Sequence, residues 1–95
     1  MRVEATIKSD TAYFFSDEKL WKLIGNVDIK NQKGEKFFTD LLYWSQEDGS
    51  IYSDKYIKIE QQEQITTGIG FRSNQELTDW EILSTEGIYI IENKQ

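Results

Sequence analysis

The sequence predicts an all-β domain, a folded-over antiparallel sheet assembled from repeated units, and three observations carry that reading. Aromatic residues make up 14% of the chain and proline is absent, so its short runs of Ile, Thr, Tyr, Phe and Trp form the side-chain set that fits a pleated, half-buried surface. Similar segments return about every 30 residues, the signature of units that each cover the apolar face of a neighbour. Within each unit the apolar residues occupy every second position, the period of a strand with one buried face, and nowhere is a helical period sustained. A chain of 95 residues has room for one hydrophobic core, so residues 1–95 are expected to form a single domain.

The repeat aligns residues 9–14 with 39–44 and 67–72, and behind them Trp21 with Ile51 and Trp80. The pairs Val27 and Ile29, Ile57 and Ile59, and Ile88 and Ile90 correspond in the same way. Taken in order, residues 2–8 and 11–15 are predicted strands whose inward parity holds Ala5, Ile7 and Tyr13. After a turn at 16–19, a strand at 20–30 points Trp21, Leu23, Val27 and Ile29 inward, and after a turn at 31–34, a strand at 36–45 points in Phe37, Thr39, Leu41 and Tyr43. Asp48-Gly49 is the strongest hairpin signal in the chain and introduces a strand at 50–60 with Ile51, Ile57 and Ile59 inward. A strand at 64–72 follows, carrying Phe71; after a turn at 73–76 come strands at 77–84, with Trp80 and Ile82, and at 87–92, with Ile88 and Ile90. The long rows are small or polar in the middle, at Gly25, at Ser53 with Lys55 and at Ser84 with Glu86, so each long strand is expected to turn a corner there. The complementary parity is mostly charged, a solvent face, except that it also holds Phe14, Phe38, Leu42, Trp44, Tyr52 and Tyr56. That outer cluster is expected either to be covered where the sheet folds over or to serve as a contact surface for a partner or a second copy.

Composition removes most chemistry. Cysteine and histidine are both absent, which excludes disulfides, thiolate nucleophiles, imidazole bases and the usual zinc ligands. The carboxylate pairs Asp17 with Glu18, Glu47 with Asp48, and Glu76 with Asp79 fall in or beside turns, where charge serves solubility, and Gly68-Ile69-Gly70 lacks the following helix that a phosphate loop needs. No catalytic residue, metal or cofactor is expected. With 17 acidic against 11 basic residues, a net charge of -6 and no basic block, nucleic acid is not an expected partner. No apolar run approaches the roughly 20 residues that cross a bilayer, and residues 1–25 lack the apolar stretch of a secretory signal. The chain is therefore expected to work outside the bilayer, in the cytoplasm or with an export signal or anchor removed.

What remains is binding, and two features can bind. The first and last strands leave backbone groups unpaired, at Val3, Ala5 and Ile7 on one side and at Gly87, Tyr89 and Ile91 on the other, and such edges accept another chain's strand. The inner row of Ile, Val, Trp, Tyr and Phe is either a filled core or the wall of a groove for an apolar ligand.

The ordered series Gly25-Asn26-Val27-Asp28-Ile29, Gly34-Glu35, Leu42-Tyr43-Trp44, 51–59 (IYSDKYIKI) and 68–73 (GIGFRS) closely resembles the LptC family of lipopolysaccharide export. It covers roughly half of the chain, and its repeat is shared with the wider LptA-like family. The resemblance implies a folded-over β-jellyroll (β-taco) whose interior, lined here by Tyr13, Trp21, Leu23, Val27, Ile29, Tyr43, Ile51, Ile57, Ile59, Phe71, Trp80, Ile82, Ile88 and Ile90, takes up the acyl chains of lipopolysaccharide. It implies a periplasmic domain, anchored to the inner membrane by a segment this chain lacks. It also implies docking of the N-terminal edge on an inner-membrane ABC transporter of the LptB/LptF/LptG type and of the C-terminal edge on an LptA-like bridge protein. The alternatives are an LptA-like bridge that stacks end to end, a structural β-repeat domain that binds no lipid, and self-association through the edges or the outer aromatic face.

Overall fold

A computed structural model describes residues 5–90, and every element among them is a strand. These are β1 (Ala5–Lys8), β2 (Thr11–Phe15), β3 (Leu20–Asn31), β4 (Lys36–Ser45), β5 (Ser50–Glu60), β6 (Gln64–Asn74) and β7 (Trp80–Ile90). All pairings are antiparallel, in the order β1-β3-β4-β5-β6-β7, with β2 also on β3. β1 pairs with the C-terminal half of β3 and β2 with its N-terminal half, so the two together make one edge and β7 makes the other. The all-β, repeat-built sheet expected from the sequence is the sheet observed.

A line of irregularities crosses the sheet and folds it. It runs through the gap between β1 and β2 at Ser9 and Asp10, then Gly25 and Asn26 of β3, both at positive φ, and Asp40 and Leu41 of β4. It continues through Asp54 and Lys55 of β5, Gly70 of β6 (φ 89°), and the one-residue register shift near Glu86 in β7. The line is held at the edge, where the Asp10 N–H donates to the Gly25 carbonyl at 2.9 Å and Asn26 Nδ2 donates to Asp10 Oδ2 at 2.9 Å. This is the corner foreshadowed by the small and polar residues in mid-row. It brings the two halves of the sheet face to face, so that Phe37, from one half, packs against Phe71 and Trp80, from the other, with ring centroids 5.4 and 5.5 Å apart.

The corner also corrects the parity. An extra residue in a strand restarts the alternation on the opposite faces. In β4 the buried residues are Phe37 and Thr39 before the corner but Leu42 after it, with Trp44 partly buried against the core. Leu42 and Trp44, expected outside, therefore belong to the core face, and Tyr43 lies on the outer face, stacked on Tyr52 at 5.2 Å. The break between β1 and β2 does the same to Tyr13. It pairs with Lys22 on the outer face and is 52% exposed, while Phe14 joins the inner side beside Trp21, 4.8 Å away. Phe38, Tyr52 and Tyr56 are outward as expected, with Lys58 Nζ 5.6 Å over the Phe38 ring.

Two further boundaries differ. The strands expected at 77–84 and 87–92 are one strand, because residue 86 is absorbed as a bulge without breaking the ladder. Its register places Ile88 across from Thr66, which faces Ile59, so Ile88 extends the row of Ile29 and Ile59, not that of Val27 and Ile57. The turn expected at 73–76 sits later, because Asn74 stays paired with Ser50 and uses its side chain to receive the N–H groups of Thr78 and Asp79 at 3.0 and 3.2 Å. Residues 2–4 and 91–92 of the expected first and last strands lie outside the described residues.

Candidate functional site

The inner face is apolar along its length but not uniformly closed. Across the middle strands Leu23, Val27, Ile29, Ile51, Ile57, Ile59 and Phe71 are buried, with Phe37 and Leu42 among them. Burial of this row is the main apolar stabilisation of the sheet, at roughly 1.5–3 kcal/mol for each large side chain. Trp80, Ile82, Ala5 and Ile7 are half-buried against this cluster, and Trp21 is half-buried beside Phe14. Toward β7, the last of the described strands, the same face opens: Ile88 is 58% and Ile90 69% exposed. Of the expected lining residues, then, seven form a filled core, Trp80 and Ile82 pack at its margin, Trp21 is half-buried beside Phe14, Ile88 and Ile90 are open at the β7 end, and Tyr13 and Tyr43 are on the other face. At the edges, Ala5, Ile7 and Gly87 are half-buried and Tyr89 is exposed, whereas Val3 and Ile91 lie outside the described residues.

The two halves meet at a mouth, and a polar cluster closes it. Asn31, at the end of β3, is buried, and its Nδ2 donates both to Glu35 Oε1 and to the backbone carbonyl of Leu77, each at 2.8 Å. Glu35 in turn accepts from Gln61 Nε2 at 3.0 Å and from Trp80 Nε1 at 3.3 Å. One carboxylate thus ties the turn after β3, the turn after β5 and the start of β7 together. Partial burial by itself would raise the Glu35 pKa; the hydrogen bonds from Asn31, Gln61 and Trp80 and the charge of Lys33 outweigh it and hold the group below its ordinary value of 4.5. Beneath this cluster Leu77, from the turn between β6 and β7, is completely buried in the core.

Sequence reasoning did not single out Leu77 or Asn31, and it quoted Glu35 only within the Gly34-Glu35 piece of the family series, with no role assigned. A lone Leu in the polar stretch 74–79 was the available signal for the first. For the other two, the signal was an Asn four residues before a Glu across a Gly turn. Among the described residues no group of acidic side chains is placed to hold a metal ion, and no helix is long and apolar enough to cross a membrane.

Residues 2–90 match the protein family described as "Lipopolysaccharide-assembly, LptC-related". The chain belongs to the LptC family. No curated protein sequence matches it. Membership gives the chain a role in lipopolysaccharide transport, in a family of transport components on the periplasmic side of the Lpt system. The inner face of this LptC-family sheet is free of charge along its core rows and exposed at Ile88 and Ile90.

Proposed function

We propose that this domain binds lipopolysaccharide through its acyl chains and passes it from an inner-membrane ABC transporter to a periplasmic bridge protein. The observation that carries the reading is that the core face does not stop where the core stops. Ile88 extends the row of Ile29 and Ile59 into solvent, with Ile90 beyond it, and an exposed apolar continuation of a buried row is a landing site for an apolar ligand. Acyl chains supply about 0.8 kcal/mol for each methylene removed from water. The phosphorylated headgroup stays outside, as a domain of net charge -6 repels it. In this reading the β1/β2 edge docks on the transporter and the β7 edge on the bridge by strand addition, and the domain works in the periplasm, anchored to the inner membrane.

One observation favours a second reading. Ile57 and Ile59 are fully buried, as they would be in a structural repeat domain with a closed interior. A photo-crosslinking residue separates the two. At Ile88 it should capture lipopolysaccharide in the resting chain, at Ile57 or Ile59 only with transporter and ATP present, and at Lys58, on the opposite face, not at all. Capture at Lys58 equal to that at Ile88, or none at any inner position in the presence of transporter and ATP, overturns the transfer reading in favour of the closed domain.

A further inference from the structure

We propose that Leu77 is a movable plug seated where an acyl chain enters the fold, and that Asn31, Glu35 and Trp80 form the latch that keeps it there. This rests on the lipid-binding reading above and adds to it a way in. Gln75, Glu76, Thr78 and Asp79 are all exposed, whereas Leu77 between them is fully buried, so the turn delivers a single apolar side chain into the interior. Leu77 sits at φ 60°, a left-handed conformation that a leucine adopts only where its surroundings hold it.

The turn lies outside the β6–β7 ladder. Pairing of β6 with β7 ends at Ser73 and Trp80, so swinging residues 75–79 outward breaks no rung of the sheet. It must break the bond across the mouth from Asn31 Nδ2 to the Leu77 carbonyl at 2.8 Å, the bond from the Gln75 N–H to the Gly49 carbonyl at 3.1 Å, and those by which Asn74 holds Thr78 and Asp79 at 3.0 and 3.2 Å. Asn31 is kept in place by the N–H groups of Lys33 and Glu35, which its Oδ1 receives at 3.1 and 2.9 Å, and by the Glu35 carboxylate, which also receives the Trp80 and Gln61 donors. The seat under Leu77 belongs to the same contiguous apolar cluster as Ile29, Phe37 and Phe71. A leucine side chain is equivalent to a few methylenes, so the replacement that satisfies the seat is a saturated hydrocarbon chain, with its polar end left among the polar groups of the mouth.

The chain contains no cysteine, so spin labels at Gln62→Cys and Glu76→Cys, both exposed positions beside the mouth, report its width by pulsed electron paramagnetic resonance. Myristate is the probe. Its addition should produce a longer-distance population that grows with ligand. Leu77→Ala in the same background should bind myristate about tenfold more tightly, since less apolar surface must be displaced. Glu35→Gln, which keeps the size of the side chain, should populate the long distance without ligand; if Leu77→Ala does not fold, this variant carries the test alone. Myristate binding at an unchanged distance, or a Glu35→Gln mouth as narrow as the wild-type one, overturns the plug. Crosslinking of lipopolysaccharide at Ile88 surviving such a result leaves the transfer reading intact, whereas loss of both that capture and myristate binding overturns the two together.

Discussion

At the scale of single residues, the three tryptophans show how one side-chain type is used for different ends. Trp21, Trp44 and Trp80 lie in one cross-strand row with Ile51 and Ser73 between the second and third, but their indole N–H groups differ. That of Trp80 donates to Glu35; that of Trp44 is buried with no protein partner. A donor buried unpaired costs about 1–3 kcal/mol, which offsets much of what the indole gains by packing. Trp44→Phe should therefore leave the unfolding free energy from urea titration within about 1 kcal/mol of wild type, and Trp80→Phe should cost roughly 1 kcal/mol more because it also removes a bond to a carboxylate. Glu35 makes a pH prediction with a definite sign. Its pKa is lowered in the folded chain, so the stability it contributes is fully present above the ordinary glutamate value and is lost as pH falls through the folded value. Urea titrations of wild type and Glu35→Gln should show the wild type ahead near neutral pH, with the gap narrowing below about pH 4.5.

At the scale of the element, the glycines of the corner and of the turns can be ranked by what a methyl group would meet. A Cβ on Gly68 would lie 2.4 Å from Ile82 Cγ2 and 2.5 Å from the Ser84 carbonyl oxygen, and the backbone oxygen cannot step aside without opening the β6–β7 ladder. Gly68→Ala should thus cost about 3 kcal/mol or more. Gly34 has φ 86° but open space around it, so Gly34→Ala bears backbone strain alone and should cost about 1 kcal/mol; thermal melts of the two variants compare them directly. The same elements show what the sequence could and could not disclose. Period-two spacing revealed the strands, and the small or polar mid-row residues Gly25, Ser53 and Ser84 revealed the bend. Counting every second residue straight through that bend sent Tyr43 inward and Leu42 and Trp44 outward, because a bulge resets the faces and leaves no compositional mark in Asp40-Leu41. The mouth was illegible for another reason: Asn31 and Leu77 meet across 46 positions of chain, and a polar turn residue with a distant partner resembles any other.

At the scale of the whole molecule, the sheet formed by the described residues ends in two edges, β1 with β2 and β7, and the β7 edge can be probed one residue at a time. Neighbouring residues of an edge strand direct their N–H groups alternately toward the sheet and away from it, so of Ile88→Pro and Tyr89→Pro one removes a ladder bond to β6 and the other removes a free donor. The variant that keeps the wild-type circular dichroism spectrum and melting temperature should be the one that loses strand addition by the bridge protein in a pull-down. Retention of full affinity by that well-folded variant would move the docking site off this edge. The corner line has a bearing on that contact as well. Since it reaches both margins of the sheet, through Ser9 and Asp10 on one and Glu86 on the other, an incoming strand meets a template with an angle in it. A straight strand can follow one arm or the other but not both, whereas a strand with its own angle at the matching place can follow the whole margin. Sliding such a partner by two residues would preserve the alternation of faces yet bring its angle against a straight arm, so the bend that folds this sheet also works as an index mark, fixing the one alignment in which a partner can continue it.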